Sequence, residues 1–390
     1  MADIQVQRYE VNVAANLQTQ AITAVGSINN AFVRIVGSTL KGSAGVIGDT
    51  GNLQPRYMGV GVQMTAVDEL TFYVVNSTLG SQKVFVEVWE YTGAVGGAYE
   101  FITRQRGSIS MVTTSSVSTS VAGIVNRNNC VPLHQGWTFN NSSTADYEKC
   151  TFGMYINASD EIVCFKNNAG DTQTAYYSVV EFTGSAWRVG HTVSSSHDFA
   201  GTVGVDLTLN TDSTGIGGST FDVTDWATAM ILDASLGGDS TETGIGDVTF
   251  LAEPTSGSTT QVKFSFNDGN ARNDSSAYIH VIQCDDLVVN RMTVDGLAMG
   301  NNSFGTPITV TGVNASTPLN ELSLEWYTCS SGTGAAFPRG FLGAYISAYN
   351  TVDHWVGRSG NAVDVKLAIV DFSALVDTPA PTRNRIFLVT

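Results

Sequence analysis

The sequence predicts an all-β chain of tandem antiparallel β-sandwich modules, jelly-roll or immunoglobulin-like, four in number, with an N-terminal arm and a C-terminal strand. Three observations predict it. A six-residue run recurs as Val86-Glu87-Val88-Trp89-Glu90-Tyr91, Tyr177-Ser178-Val179-Val180-Glu181-Phe182, Ile279-His280-Val281-Ile282-Gln283-Cys284 and Leu367-Ala368-Ile369-Val370-Asp371-Phe372, at spacings of 91, 102 and 88 residues. Each reads apolar, variable, apolar, apolar, acid or amide, then aromatic or small apolar. Alternate side chains of a strand face opposite ways, so each copy presents two faces. Second, two apolar runs precede each copy in a fixed order: Met58–Val62 then Leu70–Val75, Thr151–Ile156 then Ile162–Phe165, Val248–Leu251 then Val262–Phe266, and Phe341–Ile346 then His354–Val356. Third, Gly, Ser, Asn and Asp fill the gaps before the last run, as at Asn167-Asn168-Ala169-Gly170-Asp171 and Asn267-Asp268-Gly269-Asn270. That composition suits hairpin loops. A repeat of about 90 residues suits a sandwich of roughly seven strands with its own core.

Taken in order, residues 1–28 form an arm or a first strand. Tyr9–Val13 alternates as a strand, and Asn16–Thr23 is either a short helix or extended. Module one covers 29–93 and opens on Phe32-Val33-Arg34-Ile35-Val36, with a glycine-rich linker from Gly93 to Ala98. Module two covers 94–184 and opens near Arg106-Gly107-Ser108-Ile109; its Ser/Thr stretch Thr113–Ser120 is an exposed strand and turn. Module three covers 185–286, with the alternating Val203–Leu209 and a Gly- and Asp-rich segment from Asp233 to Asp247. The best short-helix candidate is Val223–Leu232, with Asp222 as N-cap. Module four covers 287–375 and opens on Ile308-Thr309-Val310-Thr311. A tail, 376–390, carries Pro379 and Pro381 and ends on the apolar Ile386-Phe387-Leu388-Val389. Such a strand packs on its own chain or adds to a neighbour's sheet edge.

Composition narrows the function. Of 390 residues 43% are hydrophobic and only 14% charged, so hydroxyls, amides and glycine must solvate the surface. The net charge of −16, from 19 basic and 35 acidic residues, disfavours a nucleic-acid partner, which requires clustered Lys and Arg. The five cysteines, Cys130, Cys150, Cys164, Cys284 and Cys329, are odd in number and lack metal-site spacing. They read as small buried hydrophobes of a chain folded in a reducing cytoplasm, with a Cys150–Cys164 disulfide as the alternative. No secretory leader and no apolar run of 18 or more residues is visible, so membrane insertion is not expected.

Sequence motifs for catalysis are lacking: there is no G-x-S-x-G, P-loop, H-E-x-x-H or dinucleotide fingerprint in context. The expectation is therefore no enzyme, no catalytic or metal-binding residues and no cofactor. The histidines His134, His191, His197, His280 and His354 are scattered and read as structural. The carboxylate pairs Asp160-Glu161 and Asp285-Asp286 lie at strand edges, without evidence of the facing geometry that glycoside hydrolysis needs. Asn76-Ser77-Thr78, Asn157-Ala158-Ser159 and Asn314-Ala315-Ser316 read as turns. Trp137, Trp187, Trp226 and Trp326 read as core, with a sugar-stacking role as the alternative.

The recurring strand resembles a motif of structural proteins from tailed bacteriophages, in which modules open on an RG-x-Ile/Val strand and close on VVEF. Arg106-Gly107-Ser108-Ile109 and Tyr177-Ser178-Val179-Val180-Glu181-Phe182 carry the match; module one matches only at its close, with Trp89-Glu90-Tyr91, and modules three and four depart further, with Gln283-Cys284 and Asp371-Phe372. The resemblance implies a virion protein, assembled in the host cytoplasm, with other capsid or tail proteins and its own copies as partners. Capsid decoration or cement, or a head- or tail-attached fibre or spike, is the expected role. The rival expectation is a receptor- or glycan-binding adhesin.

Overall fold

The computed structural model describes residues 2–38, 59–75, 82–112, 116–139, 152–166, 172–193, 204–214, 218–237, 251–265, 276–297, 303–330, 342–356 and 363–376. Helical segments among them are single 3-10 turns; all else regular is antiparallel strand. The strands fall into four copies of one wrap, and the tandem β-sandwich architecture expected from the sequence is present.

In module one β1 (Ile4–Val13), β2 (Gln18–Ala21), β3 (Ala31–Ser38), β4 (Gly61–Ala66), β5 (Glu69–Tyr73) and β6 (Gln82–Tyr91) form two sheets, ordered β1-β6-β3 and β2-β5-β4. The amino-terminal segment thus supplies the first two strands of this sandwich. Module two repeats the wrap with β7 (Ile102–Met111), β8 (Ser116–Ser120), β9 (Cys130–Phe139), β10 (Gly153–Ile156), β11 (Glu161–Phe165) and β12 (Gln173–Glu181). Module three uses β13 (Arg188–Val193), β14 (Gly204–Thr208), β15 (Ala229–Gly237), β16 (Leu251–Pro254), β17 (Gln261–Ser265) and β18 (Ser276–Gln283). Module four uses β19 (Val288–Leu297), a second strand split into β20 (Ser303–Phe304) and β21 (Ile308–Thr309), β22 (Leu322–Ser330), β23 (Leu342–Ala348), β24 (Thr351–Val356) and β25 (Val363–Asp371). The first strand of every module pairs with the last, which is a jelly-roll wrap and not immunoglobulin order.

A 3-10 turn precedes the third strand in each copy: Ile28–Asn30, Arg127–Asn129, Trp226–Thr228 and Leu319–Glu321. The helix expected over Val223–Leu232 is one of these. Asp225, not Asp222, caps it by accepting from Ala227 N at 2.8 Å, and the chain then enters β15, where Met230, Ile231 and Leu232 are buried. The β-branched and sheet-pairing demands of that segment override its weak helical pattern. Asn16–Thr23, read as helix or extended, contains β2 and is extended there.

The recurring six-residue strand explains the core. Its first and third residues enter the core between the two sheets of their own module: Val86 and Val88, Tyr177 and Val179, Ile279 and Val281, and Leu367 and Ile369, the last pair in a core that also takes in Val36 and Phe85 of module one. Its fourth and sixth residues face the other way, into one core shared by all four modules: Trp89 and Tyr91, Val180 and Phe182, Ile282 and Cys284, Val370 and Phe372. An aromatic chain runs through that shared core, from Phe372 to Trp89 (4.7 Å between centroids), Phe32, Phe101, Phe182 and Trp187. The fifth residue ties down the loop ahead of the 3-10 turn. Glu181 accepts from Asn126 N at 2.6 Å, Glu90 from Gly26 N at 2.6 Å, Gln283 from Thr224 N at 3.4 Å and Asp371 from Thr317 Oγ1 at 2.7 Å.

Each module packs on the next, and the fourth packs on the first. Asp3 N donates to Leu375 O at 2.7 Å where the circuit closes. Module one also joins module two through a single bridge at Gly61 and Gly136. Gly136 has φ +86°, and a Cβ there would stand 1.8 Å from Val60 O. A Cβ on Gly61 would meet the Tyr176 ring at 2.1 Å. Gly61→Ala is therefore expected to lower stability by about 1–3 kcal/mol through overpacking, read as a reduced denaturant midpoint. An unchanged midpoint would mean that Tyr176 moves aside freely.

Candidate functional site

The chemically dense regions of the molecule are the four junctions between modules. They repeat in position and differ in chemistry. One position on the first strand of each module, the register partner of the second residue of the recurring run or its equivalent, reaches the preceding module: Arg8 (opposite Glu87), Arg106 (opposite Ser178), His191 (opposite His280) and Arg291 (opposite Ala368). Each arginine spreads its guanidinium over two carbonyls at the neighbour's 3-10 turn. Arg8 donates to Leu319 O at 2.7 Å and to Leu322 O, Arg106 to Ile28 O and to Ala31 O at 2.5 Å, and Arg291 to Trp226 O and to Ala229 O at 2.5 Å. A planar fork of N–H donors fits that task, and a lysine would not. Burial pulls the Arg106 guanidinium down to about 10, so it stays cationic at neutral pH.

Carboxylates complete two junctions from different strands. Glu87, on β6, accepts from Leu324 N at 3.0 Å and from Ser323 Oγ, with Arg8 at 3.4 Å and Arg34 at 4.0 Å. Glu325, on β22, accepts from Ile231 N at 2.8 Å and pairs with Arg291 at 3.1 Å. Leu324 and Ile231 hold the same place in their modules, the third residue after the 3-10 turn. Its counterpart in module two is Pro132, which has no N–H to offer a carboxylate. There His191 meets His280, Nδ1 to Nδ1 at 2.9 Å, and His191 Nε2 lies 2.9 Å from Asn128 O. Both imidazoles are fully buried, and burial pulls His191 down to about 4 and, with its neighbour's charge, His280 to about 3.

A second contact also varies by junction. The residue six before the end of the recurring run is Phe85, Tyr176, Tyr278 or Lys366. Phe85 stacks on Tyr345 (5.8 Å), Tyr176 on Tyr73 (4.5 Å) and Tyr278 on Tyr155 (5.5 Å), each across a junction. Lys366 instead pairs with Glu253 at 3.0 Å. Beside the Tyr73–Tyr176 stack lies an open cavity of about 340 Å³, lined by Asn16, Val74, Thr138, Thr172 and Thr174 as well as the two tyrosines. Its described lining carries no charge.

The residues singled out from sequence are dispersed. His134 stacks on Phe152 in module two and His354 is buried in module four; only His191 and His280 meet. Glu161 accepts from Asn157 Nδ2 and Asp286 from Tyr99 Oη, so neither carboxylate pair faces a partner carboxylate across a cleft. Asn157 and Asn314 accept from the backbone N of Ser159 and Ser316, which makes both Asn-x-Ser triplets turns. Cys130, Cys164 and Cys284 are buried free thiols, with Cys284 pushed up to about 11 by burial. Trp187 lies in the shared core, while Trp137 and Trp226 are partly buried at core edges, Trp226 with Arg291 over its ring. Cys150, His197, Asn76, the segment 238–247 and the strand 386–389 lie outside the described residues, as do the side chains of Cys329 and Trp326. Among the described residues no cluster of three or more His, Cys, Asp or Glu is placed to hold a metal, and no helix is long and apolar enough to cross a membrane. The junction residues Arg8, Arg291, Glu87 and Glu325 escaped sequence reading because their partners are backbone groups some 60 to 300 residues away. The only available signal was an arginine recurring at one strand position in three modules.

Compared with models of known protein families and with curated protein sequences, the chain matches none.

Glu87→Ala would leave Arg8 and Arg34 buried without their counter-charge and Leu324 N without an acceptor. A loss of roughly 3–5 kcal/mol is expected, measured by denaturant unfolding. A loss below about 1 kcal/mol, the range of a surface ion pair, would deny the junction this role.

Proposed function

We propose that the chain is a non-enzymatic structural protein displayed on a tailed-phage particle, serving as capsid decoration or cement or as part of a head- or tail-attached fibre or spike. The observation that carries this reading is the shared core. Four sandwiches bury both faces of their last strands, one face in a core common to all four, and their second sheets also pack on neighbouring modules. One such body with a hydroxyl- and amide-rich surface suits repeated, shape-matched contacts with other virion proteins and with its own copies. Nucleic acid remains an unfavourable partner for a chain of net charge −16. Immunogold electron microscopy of intact particles tests the proposal. Uniform label over the head is expected for decoration, and discrete label at the tail for a fibre or spike. Particles that take no label would overturn display on the virion surface.

One observation favours the adhesin reading as a second possibility. The uncharged cavity by Tyr73 and Tyr176 combines aromatic rings with threonine hydroxyls and an amide, groups that suit a neutral host-surface sugar. On a glycan array, that reading expects binding lost by Thr174→Val together with Tyr73→Ala. Retained binding in that variant would exclude the cavity, and an array without signal would exclude the reading.

A further inference from the structure

Three of the four junctions are held by a guanidinium, which stays charged at every physiological pH. The junction between modules two and three puts an imidazole in that place. Its geometry fixes where the protons sit. His191 Nε2 must carry a hydrogen to reach Asn128 O at 2.9 Å, which leaves its Nδ1 as acceptor in the neutral ring. His280 Nδ1 must then donate across the 2.9 Å contact, and His280 Nε2 is bare, facing Met154 O at 3.4 Å. The neutral pair thus uses its two hydrogens on Asn128 O and on the contact between the rings; a first added proton can sit on His280 Nε2 toward Met154 O, and a second finds no acceptor left between the rings. Two protonated rings would set one Nδ1–H against another inside a core that excludes water.

We propose that this junction is a proton-sensitive seam, which loosens on acidification while the arginine junctions hold. Asp212, with Arg127, stands on the His191 side; Asp233, the register partner of His280, accepts from the His134 backbone and lies near Arg34. Asp212 favours the charged form of His191 but is itself drawn to Arg127. Asp233 is pushed up to about 7 by burial, so it has largely taken up its own proton before the imidazoles do.

The signs oppose. Both histidines have folded values below the ordinary 6.5, so their contribution is complete above that pH and is lost as pH falls toward 4 and 3. Asp233 has a raised folded value, so its contribution grows as pH falls from about 7. Two imidazoles outweigh one carboxyl, and the net result is weakening below about pH 6.

Hydrogen exchange followed by mass spectrometry tests this on the whole chain. After correction for intrinsic exchange rates, segments 128–134, 189–193 and 277–283 are expected to lose protection about tenfold or more between pH 7 and pH 4.5, the factor that one decade of unequal proton binding supplies. Segments 4–9, 84–90 and 322–325, at the arginine junction of modules four and one, are expected to change less. The double substitution His191→Arg with His280→Ser rebuilds the Arg106–Ser178 arrangement and is expected to abolish the difference. Parallel loss at both junctions in the natural chain would overturn the proposal, as would a selective loss that survives the double substitution. The comparison within the natural chain decides even if the variant fails to fold.

Discussion

Burial of the last strand of every module on both faces is the constraint on which the rest of the molecule depends. A sandwich standing alone could leave the outer face of its first sheet polar. Here that face carries Trp89, Phe182, Ile282 and Phe372, which none of the modules could expose to water separately. Fully burying such side chains is worth about 1.5–3 kcal/mol each, and that gain is available only when neighbours cover them. The shared core thus makes the four modules thermodynamically one body, although each also has a core of its own.

An apolar contact is non-directional, so the shared core sets that the modules associate but not how they are ordered. The polar junctions supply that. A stacked aromatic pair joins three of the junctions and Lys366 with Glu253 joins the other; a carboxylate comes from β6 in one and from β22 in another. Exchanging two modules would set a lysine against a tyrosine, or a carboxylate against Pro132. Mispairing would leave buried donors and charges without partners, which costs more than mismatched packing. The repeated architecture and the unrepeated junctions therefore have different jobs.

Much of this was legible in the sequence, for a physical reason. The last, fourth and fifth strands of each module are short apolar runs with turn residues between them, and local alternation identifies them. First strands are harder than second ones. Ser116–Ser120 and Gly204–Thr208 alternate and read as strands even at a sheet edge, whereas Gln5-Val6-Gln7-Arg8 reads only as an arm or first strand because it lies over polar junction groups. The variable second place of the recurring run, Glu87, Ser178, His280 or Ala368, looked like an indifferent position. It faces a junction, and its identity is set by a residue of another module. Periodicity reports which face is buried but not against what, so the shared core could not be told from a private one.

The contact of Asp3 with Leu375 has a mechanical consequence. The polypeptide makes a full circuit, and three of its four seams are crossed by the covalent chain. The last is a clasp, held by Ala2 on Glu321, Arg8 on the turn at Leu319 and Glu87 on Leu324. A load that spreads the ring meets covalent backbone at three places and non-covalent contacts, hydrogen bonds and apolar packing, at one. Tension borne by this protein would concentrate at that clasp, and failure would begin as an uncoiling of the ring with each sandwich still intact.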